Sequence, residues 1–174
     1  MQRNERIRKG CIGMIRSLKP NDVTELVRLI RTELIPLSHT ARPLDAHMIR
    51  ELPNRFRSGV TYVATAARFG PPAAFIHFFA DGSQLLIDML VTKPQYRGMR
   101  LGSTLMAYAE AYGKAHHCQA ARLFVDRVNT RAHRFYNKFG YSTVRFIPEL
   151  QCYELLKPLA LPSALPDPLL NSNR

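Results

Sequence analysis

The sequence has few cysteines and no long hydrophobic run, and each scarcity argues against a class of protein. Its three cysteines, Cys11, Cys118 and Cys152, form no Cys-x-x-Cys pair and have no metal-ligand spacing, which argues against a disulfide framework and a zinc site. No stretch approaches the roughly 18 consecutive apolar residues that a membrane helix needs. We therefore expect a cytoplasmic protein in a reducing compartment, with neither a bound metal nor a membrane partner.

Acidic residues are also scarce. The 174-residue chain holds 13 aspartates and glutamates against 25 lysines and arginines, which gives a formal net charge of +12. Such a surface attracts polyanions, so a polyphosphate cofactor is one explanation and a contact with RNA or the ribosome is another. The sequence leaves both open, and it also leaves open a homodimer.

The apolar content of 46% suits one domain with its own core. We expect a basic N-terminal arm at 1–12, a folded domain at 13–157 and a proline-rich tail at 158–174. Periodicity predicts a mixed α/β (α+β) order of strand, two helices, three strands, helix, strand, helix and two strands. The predicted strands lie at about 14–18, 60–66, 74–80, 85–91, 122–125, 141–146 and 151–156, and the helices at about 23–34, 44–56, 102–116 and 130–139.

A loop rich in arginine and glycine connects the apolar strand that ends at Val91 to the helix that begins near Gly102. The first amides of a helix have no internal partner, and the helix dipole adds positive charge there. Gly98 and Gly102 let an anion approach the backbone, and Arg97 and Arg100 add charge. The loop is therefore either a diphosphate site or a plain glycine turn, and no G-x-G-x-x-G or Walker motif supports a dinucleotide or nucleoside triphosphate.

A second segment follows about thirty residues later. Asn129 is placed to cap a short helix, and Gly140 ends it. Ala132, Phe135 and Tyr136 recur at helical spacing, which by itself predicts a core face with Tyr136 as a buried aromatic. A chemical role for Tyr136 depends on the first motif preceding it in the chain, as it does here.

Together the two segments resemble the GNAT superfamily of acetyl-CoA-dependent N-acetyltransferases. The signature [Q/R]-x-x-G-x-[G/A] maps onto Arg97–Gly102, although the family's first glycine is Arg100 here. The pattern N-x-x-A-x-x-[F/L]-Y-x-x-x-G-[F/Y] maps without a gap onto Asn129–Tyr141. The resemblance implies a mostly antiparallel central sheet of six to seven strands, flanked by about four helices and splayed between strands 4 and 5.

The resemblance also implies the site. Acetyl-CoA would be the co-substrate, Tyr136 would protonate the departing thiolate, and main-chain groups around Leu90 and Val91 would hold pantetheine and polarise the thioester. The implied cofactor-binding residues are Leu90, Val91, Arg97, Gly98, Met99, Arg100, Leu101, Gly102, Ser103, Asn129 and Tyr136.

The acceptor amine must lose a proton, and two residues are candidates for the base. Asp88 interrupts the central apolar strand on the face that alternation assigns to Leu86 and Leu90, and His77 lies on the neighbouring strand. A structural carboxylate and a satisfied core histidine are the alternatives.

Three functions remain at this stage. The first is acetylation of an unidentified primary amine. The second is acetylation of aminoacyl-tRNA or of an amine on a ribosomal or other protein, which the basic surface would favour. The third is a non-catalytic module of the same fold that binds CoA or nucleic acid.

Overall fold

The structure is a computed structural model that describes residues 14–38 and 46–159. Seven strands form one sheet in the order β1-β2-β3-β4-β5-β7-β6; β4 and β5 are parallel, and every other neighbouring pair is antiparallel. The strands are β1 Ile15–Ser17, β2 Val60–Thr65, β3 Pro72–Asp81, β4 Gln84–Thr92, β5 Ala120–Asp126, β6 Ser142–Ile147 and β7 Cys152–Pro158, and the α-helices are α1 Val23–Leu29, α2 Ala46–Ser58, α3 Leu101–Ala115 and α4 Thr130–Lys138.

Helices cover both faces of the central strands. The α1/α2 face is packed by the apolar sides of those helices, for example Leu26 and Phe56, against Phe75 and Val91. The opposite α3/α4 face holds the larger cluster. Its buried members include Ile76, Phe78, Ile87, Leu105, Met106, Leu123, Tyr136 and Leu155. The two clusters make β3 and β4 the centre of the molecule, as the continuous apolar run in β4 predicted.

A β-bulge interrupts the alternation of β4. His77 pairs with Met89 and Phe78 pairs with Ile87, so Asp88 is the extra residue opposite β3. After the bulge, the side chains of β4 alternate with the opposite parity. Ile87 and Leu90, three residues apart, therefore both pack on the α3/α4 face. The expectation that Asp88 and Leu90 share a face is therefore wrong, because a bulge shifts the period of two by one residue.

The predicted fold class is confirmed, and the strands and helices lie within a few residues of their predicted positions. The basic arm at 1–12 and most of the tail at 158–174 lie outside the described residues. Pro158, however, belongs to β7, and Leu159 is buried in the core, so the folded unit extends past 157. Among the described residues, no helix is both long enough and apolar enough to cross a membrane.

Two ion pairs fasten Glu25 of α1 and predict how stability responds to acid. Arg28 and Lys93 lie 2.7 and 2.5 Å from its carboxylate, and chiefly the hydrogen bond from Arg28 lowers the pKa of Glu25 to about 2. Because the folded pKa is below the ordinary value of 4.5, this stabilisation is present above pH 4.5 and is lost as the pH falls towards 2.

We expect the free energy of unfolding to fall over that pH range, and to fall less steeply in Glu25→Gln. Urea titrations at a series of pH values measure both slopes. Other carboxylates contribute equally to the two proteins, so equal slopes would contradict the assignment to Glu25.

Candidate active site

The β4 and β5 strands separate partway along their length. Their parallel pairing covers Gln84–Ile87 against Ala120–Leu123 and then stops, although β4 continues to Thr92 and β5 to Asp126. Beyond this point, the backbone N–H and C=O groups of β4 that face β5 form no hydrogen bonds with that strand. The position of the opening agrees with the splay expected between strands 4 and 5.

A cavity of about 830 Å³ lies at this opening, within the size range of small-molecule sites. Three segments line it: the end of the α1 region, the end of β4 with the loop that follows, and the start of α4. The lining residues used below are Glu33, Leu90, Val91, Thr92, Arg97, Gly98, Arg100, Leu101, Gly102, Ser103, Asn129, Arg131, Phe135 and Tyr136.

The structure thus brings together ten of the eleven predicted cofactor residues. Met99 is the exception: its side chain packs against the core, and its amide donates to the carbonyl of Tyr96 at 3.4 Å. Met99 shapes the loop from inside and does not line the cavity.

The start of α3 presents unpaired amides to this cavity. Thr104 donates to the carbonyl of Arg100 at 2.9 Å, so the helical ladder begins there. The amides of Leu101, Gly102 and Ser103 come earlier and have no partner within the helix. A helix start with free amides and a positive dipole end is suited to an anion.

The loop reaches this geometry through two left-handed residues. Gly98 has a φ of +80° and Arg100 a φ of +60°. Arg100 stands where the family signature has glycine, and left-handed backbone costs a residue with a Cβ about 1 kcal/mol or more. Arg100 therefore has the left-handed backbone conformation that glycine favours, although it carries a side chain.

Charge in the cavity is only partly balanced. Arg97 pairs with Glu33 at 2.6 Å, and its Nε donates to the carbonyl of Thr92 at 3.3 Å. Arg131 lines the same cavity, and among the described residues it has no ion-pair partner. Desolvation and the neighbouring charge of Arg97 lower the pKa of Arg131. The two guanidinium groups share the charge of one carboxylate, Glu33, and the excess positive charge suits an anionic ligand.

If the cavity takes CoA, as the family resemblance implies, Arg131→Ala should weaken CoA binding by about three- to tenfold and reduce its salt dependence, since one charge-assisted contact is lost. Isothermal calorimetry at two salt concentrations measures both effects. Arg134→Ala is the matched control, because this arginine lies on the same helix, is exposed and does not line the cavity. Equal affinities for the two variants would contradict a role for Arg131.

Asn129 and Tyr136 are positioned by α4. The side-chain oxygen of Asn129 caps the helix by accepting from the Ala132 amide at 3.1 Å, which leaves its NH₂ group for a ligand. Tyr136 is 8% exposed and lines the cavity. Burial raises the pKa of Tyr136 well above its ordinary value, so its hydroxyl keeps a proton at neutral pH.

Asp88 lies next to the opening but not among the residues that line the cavity. It is the first β4 residue after the last parallel pair, Ile87 with Leu123. On the α1/α2 side, Arg55 of α2 binds both oxygens of its carboxylate. The sequence did not indicate that Arg55 would pair with Asp88, because 33 residues separate them.

Sequence reasoning also missed Arg131 and Glu33. Glu33 belongs to a single π-helical turn, Ile30–Leu34, that extends α1, and a helical pattern alone does not indicate which loop such a turn will meet. Within residues 14–38 and 46–159, no group of three or more histidines, cysteines or acidic residues could hold a metal ion.

Comparison with known proteins places this arrangement in a family. The model of the acetyltransferase (GNAT) family matches residues 23–141. Ard1 from Thermoplasma volcanium is 25% identical, with a TM-score of 0.66, and the match covers 86% of this chain and 99% of that one. The search of curated proteins found no significant match.

Two further solved structures share the fold. PaiA N-acetyltransferase from Thermoplasma acidophilum, in complex with coenzyme A, is 20% identical with a TM-score of 0.70, covering 83% of this chain and 98% of that one. A chain of the NatC complex bound to Gag peptide and CoA is 19% identical with a TM-score of 0.67, covering 86% and 100%. With the family model matching more than half of its length, the chain belongs to the acetyltransferase (GNAT) family.

Proposed function

We propose that the protein is an N-acetyltransferase that moves an acetyl group from acetyl-CoA to a primary amine by direct attack. One observation carries the proposal: free helix amides, Asn129 and Tyr136 meet in one cavity at the point where β4 and β5 separate. A plain glycine turn would not require that convergence. Acetyl-CoA, when bound, supplies the activated acetyl thioester.

The described residues fit such a co-substrate. The amides of Leu101, Gly102 and Ser103 would bind the diphosphate, with Arg97 and Arg131 supplying charge. Main-chain groups around Leu90 and Val91, where β4 no longer pairs with β5, would hold the pantetheine arm and polarise the thioester carbonyl. The NH₂ group of Asn129 would contact the same arm.

Tyr136 would act as the general acid. When the amine displaces the thiolate, the carbon–sulfur bond breaks and the sulfur takes the phenolic proton. An acid must still hold its proton at working pH, and the buried phenol meets this requirement.

Asp88 would act as the base. An alkylammonium is mostly protonated at neutral pH, so the attacking nitrogen must first give a proton to a neighbouring group. Asp88 stands beside the opening on the face opposite Tyr136 and the α3/α4 core, so an acceptor would approach the thioester from the side that the acid does not occupy. This requires that Arg55 release the carboxylate.

Acetyl-CoA consumption with a panel of primary amines tests the proposal. The expected result is thiol release that depends on an amine, together with a thermal shift on adding CoA. A thermal shift without thiol release for any amine would favour the non-catalytic module, and the absence of both would refute the CoA site itself.

The acceptor is best sought first among peptide and protein amines. The NatC neighbour was solved with a peptide and CoA, and the net charge of +12 favours an acidic or nucleic-acid-bound partner. The panel should therefore include N-terminal peptides, ribosomal protein peptides and aminoacyl-tRNA. Acetylation of aminoacyl-tRNA that falls steeply with salt would support the second candidate function.

A further inference from the structure

His77 of β3 is completely buried, yet its Nε2 atom has no hydrogen-bond partner among the described residues. A buried polar atom without a partner destabilises the folded state, so its presence calls for a reason. The residue was considered above only as an alternative base.

The imidazole is held in one place from several sides. Its Nδ1 lies 2.9 Å from the hydroxyl oxygen of Thr61, and the rings of Phe56 and Phe79 meet it edge-on at centroid distances of 5.5 and 4.9 Å. The absence of a side chain at Gly59 provides the space for this ring, because a Cβ there would lie 2.5 Å from Cε1 and 2.9 Å from Nε2 of His77. The ring therefore cannot turn away to find another partner for Nε2.

The carboxylate of Asp88 lies near Nε2. Its Oδ2 atom lies 3.8 Å from Nε2, just beyond hydrogen-bond distance, and the same oxygen accepts from Arg55 Nε at 2.7 Å. The Arg55 side chain is 52% exposed, whereas that of Asp88 is 11% exposed. Arg55 on α2 and His77 on β3 are the charged or titratable groups that face Asp88 among the described residues.

The protonation of His77 follows from its surroundings. Burial and the charge of Arg55 lower the pKa of His77 below its ordinary value, and the charge of Asp88, together with the backbone of Val60, offsets only part of this effect. The ring is thus neutral at pH 7 and carries one proton. If the Thr61 hydroxyl donates to Nδ1, that proton is on Nε2 and points to Asp88.

We propose that His77 is a positioning residue for Asp88, with Thr61 fixing its tautomer. The inference rests on the proposed function, in which Asp88 is the base. When an acceptor ammonium displaces Arg55, a shift of about one ångström lets Nε2–H donate to Oδ2. The ammonium N–H bond then breaks, an O–H bond forms on the other oxygen of Asp88, and the freed electron pair attacks the thioester. His77 keeps its proton throughout.

Kinetics with the full chain test this role. His77→Leu should lower kcat about tenfold and leave the KM for acetyl-CoA unchanged. The acidic limb of its kcat/KM profile should move to higher pH by about one unit, since a carboxylate without its donor holds a proton more tightly. His77→Gln should restore most of both effects, because its amide NH₂ can reach the place of Nε2. A wild-type profile in His77→Leu, or no rescue by His77→Gln, would overturn the proposal.

A readout without turnover keeps the result separate from the proposed function. In ¹⁵N-histidine NMR, His77 should show a single neutral tautomer protonated at Nε2, which becomes a mixture in Thr61→Val and shifts its signal in Asp88→Asn. A proton on Nδ1 in the wild-type protein would overturn the proposal even if the enzyme is active. A protein that acetylates no amine but shows the Nε2–H tautomer and the Asp88→Asn shift would refute the proposed function and retain the His77–Asp88 contact.

Discussion

Tyr136→Phe is expected to slow turnover by about ten- to a thousandfold, the scale of lost general acid catalysis, and to leave acetyl-CoA binding unchanged. Phenylalanine keeps the ring that packs against Phe135 and Tyr141, at centroid distances of 5.2 and 5.9 Å, and removes only the hydroxyl. The loss should therefore fall on kcat, since the departing sulfur has no proton donor. Steady-state kinetics and calorimetry with CoA separate the two effects.

Tyr141→Phe is the matched control for this experiment. Tyr141 is also buried in the α3/α4 core, but it does not line the cavity, so its hydroxyl should not affect turnover. Equal turnover in Tyr136→Phe and the wild-type protein would reject the assigned role. Equal losses in the two variants would point to core packing instead of proton transfer.

Gly102→Leu is expected to abolish CoA binding. A Cβ on Gly102 would lie 3.7 Å from both Phe135 Cζ and Thr92 Oγ1 and 3.9 Å from Leu90 Cδ2, which is ordinary contact. An alanine therefore fits, and a longer side chain must extend into the cavity in front of the free amides. Calorimetry should show a small change for Gly102→Ala and no binding for Gly102→Leu, with both proteins unfolding near the wild-type temperature.

Gly98 contributes in a different way, and its variants sharpen the interpretation. No atom lies within 4 Å of a Cβ built there, but its φ of +80° is unfavourable for any residue with a side chain. Gly98→Ala should therefore weaken CoA binding by distorting the loop, although alanine is small.

Wild-type affinity in Gly102→Leu would refute the assignment of the diphosphate to the start of α3.

Local signals in the sequence were enough to predict most of the fold. The strand before Pro94, the loop glycines and the Asn129 cap each depend on a few neighbouring residues, so they could be recognised without the structure. For the same reason the loop and the α4 residues of the candidate site were found together.

The remaining features depend on contacts between distant segments. The face of Asp88 depends on a bulge that arises only when β4 pairs with β3. Glu33 meets Arg97 across 64 residues, and Arg55 meets Asp88 across 33. Side-chain chemistry identifies such residues as charged, but only the folded chain determines which charge each one meets.

The pair of Glu33 with Arg97 has a further consequence for the order in which ligands bind. The carboxylate of Glu33 pairs with Arg97 at 2.6 Å, on the arginine that the proposed function assigns to the diphosphate. If the diphosphate binds as proposed, it would compete with Glu33 for Arg97 and would free the π-helical turn Ile30–Leu34, whereas Lys93 would still hold Glu25 at the other end of α1. We therefore expect acetyl-CoA to bind before the amine. The freed turn Ile30–Leu34 would then adjust to the amine that follows.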